Sequence, residues 1–111
     1  MKIDGKQYLQ MMEEVMDIAS YYLLAKRTLL AQEGMSLSSG DMDAFNPYYQ
    51  FIDKVNKSFL KLENIYKEVL INEFFSPEDK YWWQLYYKQS TFISIKAKAM
   101  KSFLKAYHEF N

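Results

Sequence analysis

The chain has 111 residues, no net charge and no cysteine, and half of its residues are hydrophobic. This composition excludes a disordered chain, disulfide bonds and thiolate metal sites, and its three glycines and two prolines are too few for the many turns of an all-β protein. The charge is unevenly distributed, because residues 80–111 carry six lysines and one glutamate. This asymmetry indicates either a partner for the basic part, often nucleic acid, or a solvated lysine face that prevents aggregation.

A first helix is predicted from Asp4 to Gly34. An aspartate is suited to cap a helix N-terminus, and a glycine suits a C-terminal stop because it accepts positive φ. The apolar residues between them follow the period of a helix that packs on a core. They are Tyr8, Met12, Val15, Ala19, Tyr22 and Leu29.

Residues 35–45 are predicted to form a loop, since serine, glycine and aspartate are frequent there. Asp41 and Asp43 could offer oxygen ligands to a hard cation. A calcium-binding loop needs more ligands than these two, however, so no metal site is expected.

The second predicted helix begins with Asn46 as its cap and Pro47 at the first helical position. Its apolar residues again recur at steps of three and four, and its length matches that of the first helix. Two such helices joined by one loop predict a long antiparallel hairpin. The second apolar stripe consists of Tyr48, Ile52, Val55, Phe59, Leu62, Tyr66 and Val69.

Two further helices are predicted after a break near residue 75. Ser76 can cap a short third helix from Pro77 to about Tyr86, and the nearby acidic residues favour its N-terminal end. A fourth helix is predicted to start around Gln89 to Thr91 and to run toward His108. The neighbouring Trp82 and Trp83 are expected to pack in the core rather than to stack on bases.

The expected fold is therefore all-α and has two parts. Residues 1–75 form the long antiparallel hairpin, and residues 76–111 form a basic, helix-turn-helix-like segment packed on the second helix. Each long helix also carries a second apolar strip, so a homodimer is expected. The alternative is that the fourth helix folds back and covers this strip. The strip consists of Leu9, Met16, Leu23, Leu30, Phe51, Leu70, Ile71 and Phe74.

An enzyme is not expected, because His108 is the only histidine and neither a cysteine nor a second histidine can pair with it. No cofactor and no small-molecule substrate are therefore predicted. No apolar run approaches the roughly 18 residues that cross a bilayer, and the N-terminus lacks the pattern of a signal peptide. No membrane partner and a cytoplasmic location are expected.

The C-terminal segment has the layout of a DNA-binding helix-turn-helix, with Pro77–Tyr86 as the bracing helix and Ser90–Tyr107 as the reading helix. One face of the reading helix is apolar. The other carries hydroxyl groups that can approach bases or phosphates and lysines that can pair with the DNA backbone. The candidate DNA-binding residues are Lys88, Gln89, Ser90, Thr91, Ser94, Lys98, Lys101 and Lys105.

Residues 56–107 resemble a known family. The stretch Phe59–Leu70, the break after it and the string Tyr86–Phe92 resemble the promoter-reading C-terminal domain of bacterial sigma factors. They are also similar to small phage regulators of late transcription and to short mycoplasma-type proteins with that domain. The resemblance implies a recognition helix opened by the string Tyr86–Phe92 and double-stranded DNA or RNA polymerase as the partner.

Two functions remain open from the sequence. The first is a small DNA-binding or transcription-associated protein. The second is a helical protein-interaction module that does not bind DNA, such as an oligomeric scaffold or a phage-encoded inhibitor of a host protein.

Overall fold

The computed structural model describes residues 4–35 and 46–110. Helices account for most of these residues and no strand occurs among them, so the predicted all-α class is confirmed. The pair Asp41 and Asp43, considered above as cation ligands, lies outside the described residues.

The first helix, α1, spans Gly5–Met35 and begins where the sequence predicts. The Asp4 carboxylate accepts a hydrogen bond of 2.7 Å from the backbone N–H of Gln7, which is the expected capping contact. Val15 and Ala19 of the predicted apolar stripe are buried. One face of α1 therefore packs on the core.

The second helix, α2, spans Pro47–Leu60, and the Asn46 side chain accepts a hydrogen bond from the backbone N–H of Tyr48 as its cap. A corner at residues 61–63 then separates α2 from a short third helix, α3, at Asn64–Leu70. The prediction of one continuous second helix as long as α1 is therefore wrong.

The corner after α2 arises from a side chain and from tertiary packing. Ser58 is buried, and its hydroxyl donates to the Lys54 carbonyl oxygen at 2.8 Å, a contact that often bends helices. The Lys61 and Leu62 N–H groups then donate to carbonyl oxygens only three residues back, which tightens the last turn. Leu62 is buried in the core as a result.

A single π-helical turn, Ile71–Phe75, follows α3, and the only helical structure described between Ser76 and Lys88 is the 3₁₀ turn Trp82–Leu85. The predicted third helix from Pro77 to Tyr86, capped by Ser76, is therefore wrong. The Asp79 carboxylate instead accepts from the backbone N–H of Tyr81, which closes a local turn and competes with a helix.

The last helix, α4, spans Gln89–Glu109, as predicted to within one residue at its end. It contacts α1, α2 and α3, so its packing extends beyond the second helix. Met100 and Phe103 are fully buried at its centre, in one core shared with Val15 and Val55. The two predicted segments, 1–75 and 76–111, thus contribute to the same core.

The second apolar strip is only partly covered, since Ile71 just after α3 is exposed and Leu23 on α1 is partly buried. Leu70 is fully buried, whereas Leu9, Met16 and Leu30 are exposed. The alternative in which the C-terminal helix covers this strip does not apply to α1.

Candidate nucleic-acid interface

The outer face of α4 carries the residues that the sequence suggests for DNA binding. One side of α4 packs in the core, where it buries Phe92, Ala99, Met100 and Phe103. All eight candidate residues are exposed on the remaining surface or just before the helix. They are Lys88, Gln89, Ser90, Thr91, Ser94, Lys98, Lys101 and Lys105.

Lys98, Lys101 and Lys105, called here the lysine stripe, lie on one side of α4 because steps of three and four residues return to the same helix face. Ser94 continues the stripe toward the start of the helix, with Ser90 and Thr91 beside it.

Two candidates lie apart from the stripe. Gln89 precedes Lys98 by nine residues, about two and a half turns, so it is on the opposite side of the helix. Lys88 is the residue before α4, and its side chain makes no capping hydrogen bond. The structure therefore groups six of the eight residues and separates Gln89 and Lys88 from them.

The three side chains of the lysine stripe are exposed to solvent. Within the described residues, Lys98, Lys101 and Lys105 form no ion pair. Lys96 differs, because its ammonium lies 3.3 Å from a Glu73 carboxylate oxygen and both side chains are mostly buried. Lys96 is therefore part of a mostly buried ion pair, whereas the lysine stripe faces solvent.

One basic residue near the stripe was missed by the sequence analysis. The corner after α2 brings Lys61 to α4, where its ammonium lies 3.1 Å from a carboxylate oxygen of Glu109. Lys61 and Lys105 line the same surface depression of about 230 Å³. No glycine or proline marks the corner, so no sequence signal placed Lys61 there.

The tryptophan pair packs under the start of α4. The Trp83 ring stacks on Phe92 with centroids 4.8 Å apart and planes at 4°, and Trp82 meets Phe92 edge-on at 5.7 Å. Because Phe92 is buried, the prediction of core packing is confirmed. Leu85 and Tyr86, in contrast, are strongly exposed beside this cluster, and the sequence analysis missed them.

The brace expected of a helix-turn-helix is not formed, since the four-residue turn Trp82–Leu85 stands in its place. Other contacts hold the start of α4. The Trp82 Nε1–H group donates to a Glu73 carboxylate oxygen at 3.1 Å, and the other oxygen of Glu73 pairs with Lys96. The start of α4 is therefore held by side-chain contacts and not by a bracing helix.

His108 is exposed near the end of α4 and contacts the first helix. Its Nε2 atom lies 2.6 Å from a carboxylate oxygen of Glu14 on α1. Tyr107 beside it is half-buried, and burial, followed by the Glu14 charge, raises the pKa of the Tyr107 phenol. These contacts join α4 to α1.

Comparisons with protein-family models, curated proteins and solved structures gave no match. Among the described helices, none combines the length and the apolar content that a membrane crossing requires. In the same part of the chain, no three histidine, aspartate or glutamate side chains gather as a metal site.

Proposed function

We propose that this protein is a small non-enzymatic binding module that attaches to double-stranded nucleic acid, in the cytoplasm, through the lysine stripe of α4. The observation that carries the proposal is the placement of Lys98, Lys101 and Lys105 on one exposed helix face, without ion-pair partners among the described residues. The opposite face of the same helix is fixed in the core by Met100 and Phe103.

The dimensions of the stripe support phosphate binding. Lys98 and Lys105 are seven residues apart, about 10 Å along a helix axis. One DNA strand presents a phosphate about every 3.4 Å of duplex axis, so the stripe is about as long as three phosphate steps. The hydroxyl groups of Thr91 and Ser94 extend the polar surface, and such groups commonly bind phosphate oxygens.

We expect the lysine stripe to contact the DNA backbone more than the bases. Arginine, the commonest side chain to read guanine, is absent from residues 76–111. The sigma-like resemblance associates the module with transcription, while the missing brace argues for attachment by a single helix face.

Binding to a labelled DNA duplex over a salt series tests this function. Three phosphate contacts give a slope of about −2.7 in log K against log salt, so affinity falls roughly 40-fold between 50 and 200 mM salt. Fluorescence anisotropy with the full chain measures both quantities. Absence of duplex binding even at low salt would reject the function and leave the protein-interaction module in its place.

We further propose that the module is a homodimer formed through the outward face of α1. Leu9, Met16, Leu24 and Leu30 are each at least half exposed on this helix. Leu9, Met16 and Leu30 fall on one side of α1, where they are spaced by multiples of seven residues, a pattern that suits pairing with another helix.

Charge favours an antiparallel second copy on the outward face of α1. Glu13 and Asp17 lie in the N-terminal half of this face, and Arg27 lies in its C-terminal half. An antiparallel partner places its Arg27 beside Glu13 and Asp17, with the small Ser20 near the crossing point. A parallel partner would bring the acidic residues together, which is unfavourable.

A further inference from the structure

A cleft of about 470 Å³ lies on the side of the molecule formed by α1, α2 and α3, and no residue of α4 lines it. This volume is within the range of about 300–1,000 Å³ that is typical of small-molecule sites. The cleft is therefore a surface independent of the lysine stripe.

Aromatic rings form the interior of the cleft. The Phe59 and Phe75 rings meet edge-on with centroids 5.0 Å apart, and Tyr22 meets Phe75 in the same way at 5.5 Å. Leu60 and Ile71 are exposed at its edge. An apolar ligand body would replace water along these side chains, which favours binding.

The polar groups that line the cleft favour a negatively charged ligand. Lys26 and Lys67 line it, and none of the acidic residues that the structure describes does so. Among the described residues neither lysine forms an ion pair. The Tyr22 hydroxyl donates to the side-chain Oδ1 atom of Asn56 at 3.0 Å, which leaves the Asn56 side-chain amide as an additional donor.

The backbone beside the cleft has an uncommon form. Ile71–Phe75 is a π-helical turn, and the Ser76 N–H donates to the Ile71 carbonyl oxygen at 2.7 Å to close it. Single π turns are rare and occur frequently at functional sites. Here the turn supplies Ile71 to the edge of the cleft and Phe75 to its interior.

We propose that this cleft binds a small amphipathic anion, such as an aliphatic or aromatic carboxylate. The apolar part of the ligand packs on Phe59 and Phe75, and the carboxylate group pairs with Lys26 and Lys67. An alcohol of the same chain length lacks the charge, and an amine of that length carries the opposite charge, so both bind more weakly.

Calorimetric titration of the full chain with octanoate, octanol and octylammonium tests the ligand class. Octanoate is expected to bind at least tenfold more tightly than either of the others. In ¹H–¹⁵N spectra, the backbone signals that move should belong to residues around Lys67 and Phe75. Equal or tighter binding of octylammonium, absence of octanoate binding at millimolar concentration, or shifts confined to the outward face of α1 would each overturn the proposal.

Two matched pairs of variants test the location. Ile71→Trp fills the edge of the cleft and is expected to abolish octanoate binding, whereas Ile93→Trp changes a similarly exposed isoleucine on α4 and should leave it unchanged. Lys26→Gln with Lys67→Gln should weaken octanoate binding at least tenfold without weakening octanol binding. Lys98→Gln with Lys101→Gln removes the same charge from the stripe and should affect DNA binding alone.

The outcomes separate this proposal from the nucleic-acid function. Octanoate binding that survives Ile71→Trp in a folded protein would overturn the cleft proposal, whatever the DNA result. Loss of DNA binding in the Lys98 and Lys101 variant with octanoate binding intact supports both proposals as separate sites.

Discussion

The Nε2 atom of His108, in the last turn of α4, lies 2.6 Å from a carboxylate oxygen of Glu14 on α1. The two residues are 94 positions apart in the chain, so the contact joins the first helix to the last one. Both side chains are about half exposed, and the pair is charged only when the imidazole is protonated.

The Glu14–His108 pair is expected to contribute little to stability. Exposed ion pairs are typically worth about 0.2–1 kcal/mol because water screens them. A double-mutant cycle with Glu14→Gln and His108→Ala, read by urea denaturation, should give a coupling free energy in this range. A coupling of several kcal/mol would contradict this expectation.

Glu73 is expected to stabilise the folded protein far more than Glu14 does. Its carboxylate binds both the Trp82 indole and the Lys96 ammonium, and the side chains of Glu73 and Lys96 are only 16% and 14% exposed. Glu73→Ala leaves a mostly buried lysine without its partner, which typically costs about 3–5 kcal/mol. Chemical denaturation measures the loss, and a change in tryptophan fluorescence should accompany it because Trp82 loses its acceptor.

The matched control for Glu73 is Asp53→Ala. Asp53 pairs with Lys57 one turn away on the surface of α2, with both side chains about half exposed. Removing this exposed pair should change the free energy of unfolding far less than Glu73→Ala does, because water screens the interaction. If Glu73→Ala and Asp53→Ala lost a similar free energy of unfolding, burial would not strengthen the pair of Glu73 and Lys96.

Tyr107 is expected to make stability fall at alkaline pH. Burial, and then the charge of Glu14, raises the pKa of Tyr107 in the folded protein. The unfolded chain therefore releases the phenol proton first, so this stability is present below about pH 10 and lost as the pH rises. Tyr107→Phe should reduce the loss of unfolding free energy between about pH 9 and 11. Tyr86→Phe, at an exposed tyrosine, should not.

The sequence predicts the starts of α1 and α2 and the exposed side of α4 well, because these depend on local chemistry. Asp4 and Asn46 carry their capping contacts within two or three residues. The lysine stripe follows from helical periodicity, so its residues share a face wherever α4 packs.

The corner after α2 and the missing third helix depend instead on contacts distant in the chain. Leu62 leaves the helical path to enter the core, although no helix-breaking residue precedes it. Glu73 and Lys96 pair across 23 positions, and Trp83 stacks on Phe92. Periodicity alone cannot indicate such pairings, so a helix from Pro77 was the expected but wrong result.

The proposed dimer can be tested by exchanging charge on the outward face of α1. Arg27→Glu places acidic residues opposite one another in an antiparallel pair, so the protein should become monomeric at micromolar concentration. Adding Glu13→Arg restores opposite charges and should restore the dimer. Light scattering measures the mass. A monomeric unmodified protein, or a double variant that stays monomeric while a dimer forms in the unmodified chain, would contradict this interface.

The lysine stripe gives the sharpest test of nucleic-acid binding. Lys98→Glu with Lys101→Glu should weaken binding to any duplex and lower the slope of the salt dependence by about one unit per lost contact. With one contact remaining, affinity should fall only about 3–4-fold between 50 and 200 mM salt. Thr91→Ala should change the preference among duplex sequences by roughly 1–3 kcal/mol if its hydroxyl contacts a base. Gln89→Ala, on the opposite side of α4, should not.

The control for the stripe has the same change in net charge elsewhere. Lys6→Glu with Lys57→Glu alters two exposed lysines on α1 and α2. If the stripe is the interface, this variant should keep most of the original slope, because slope counts the phosphates contacted rather than the total charge. Equal losses of slope in both double variants would mean that the duplex responds to net charge alone, and the α4 interface would then be rejected.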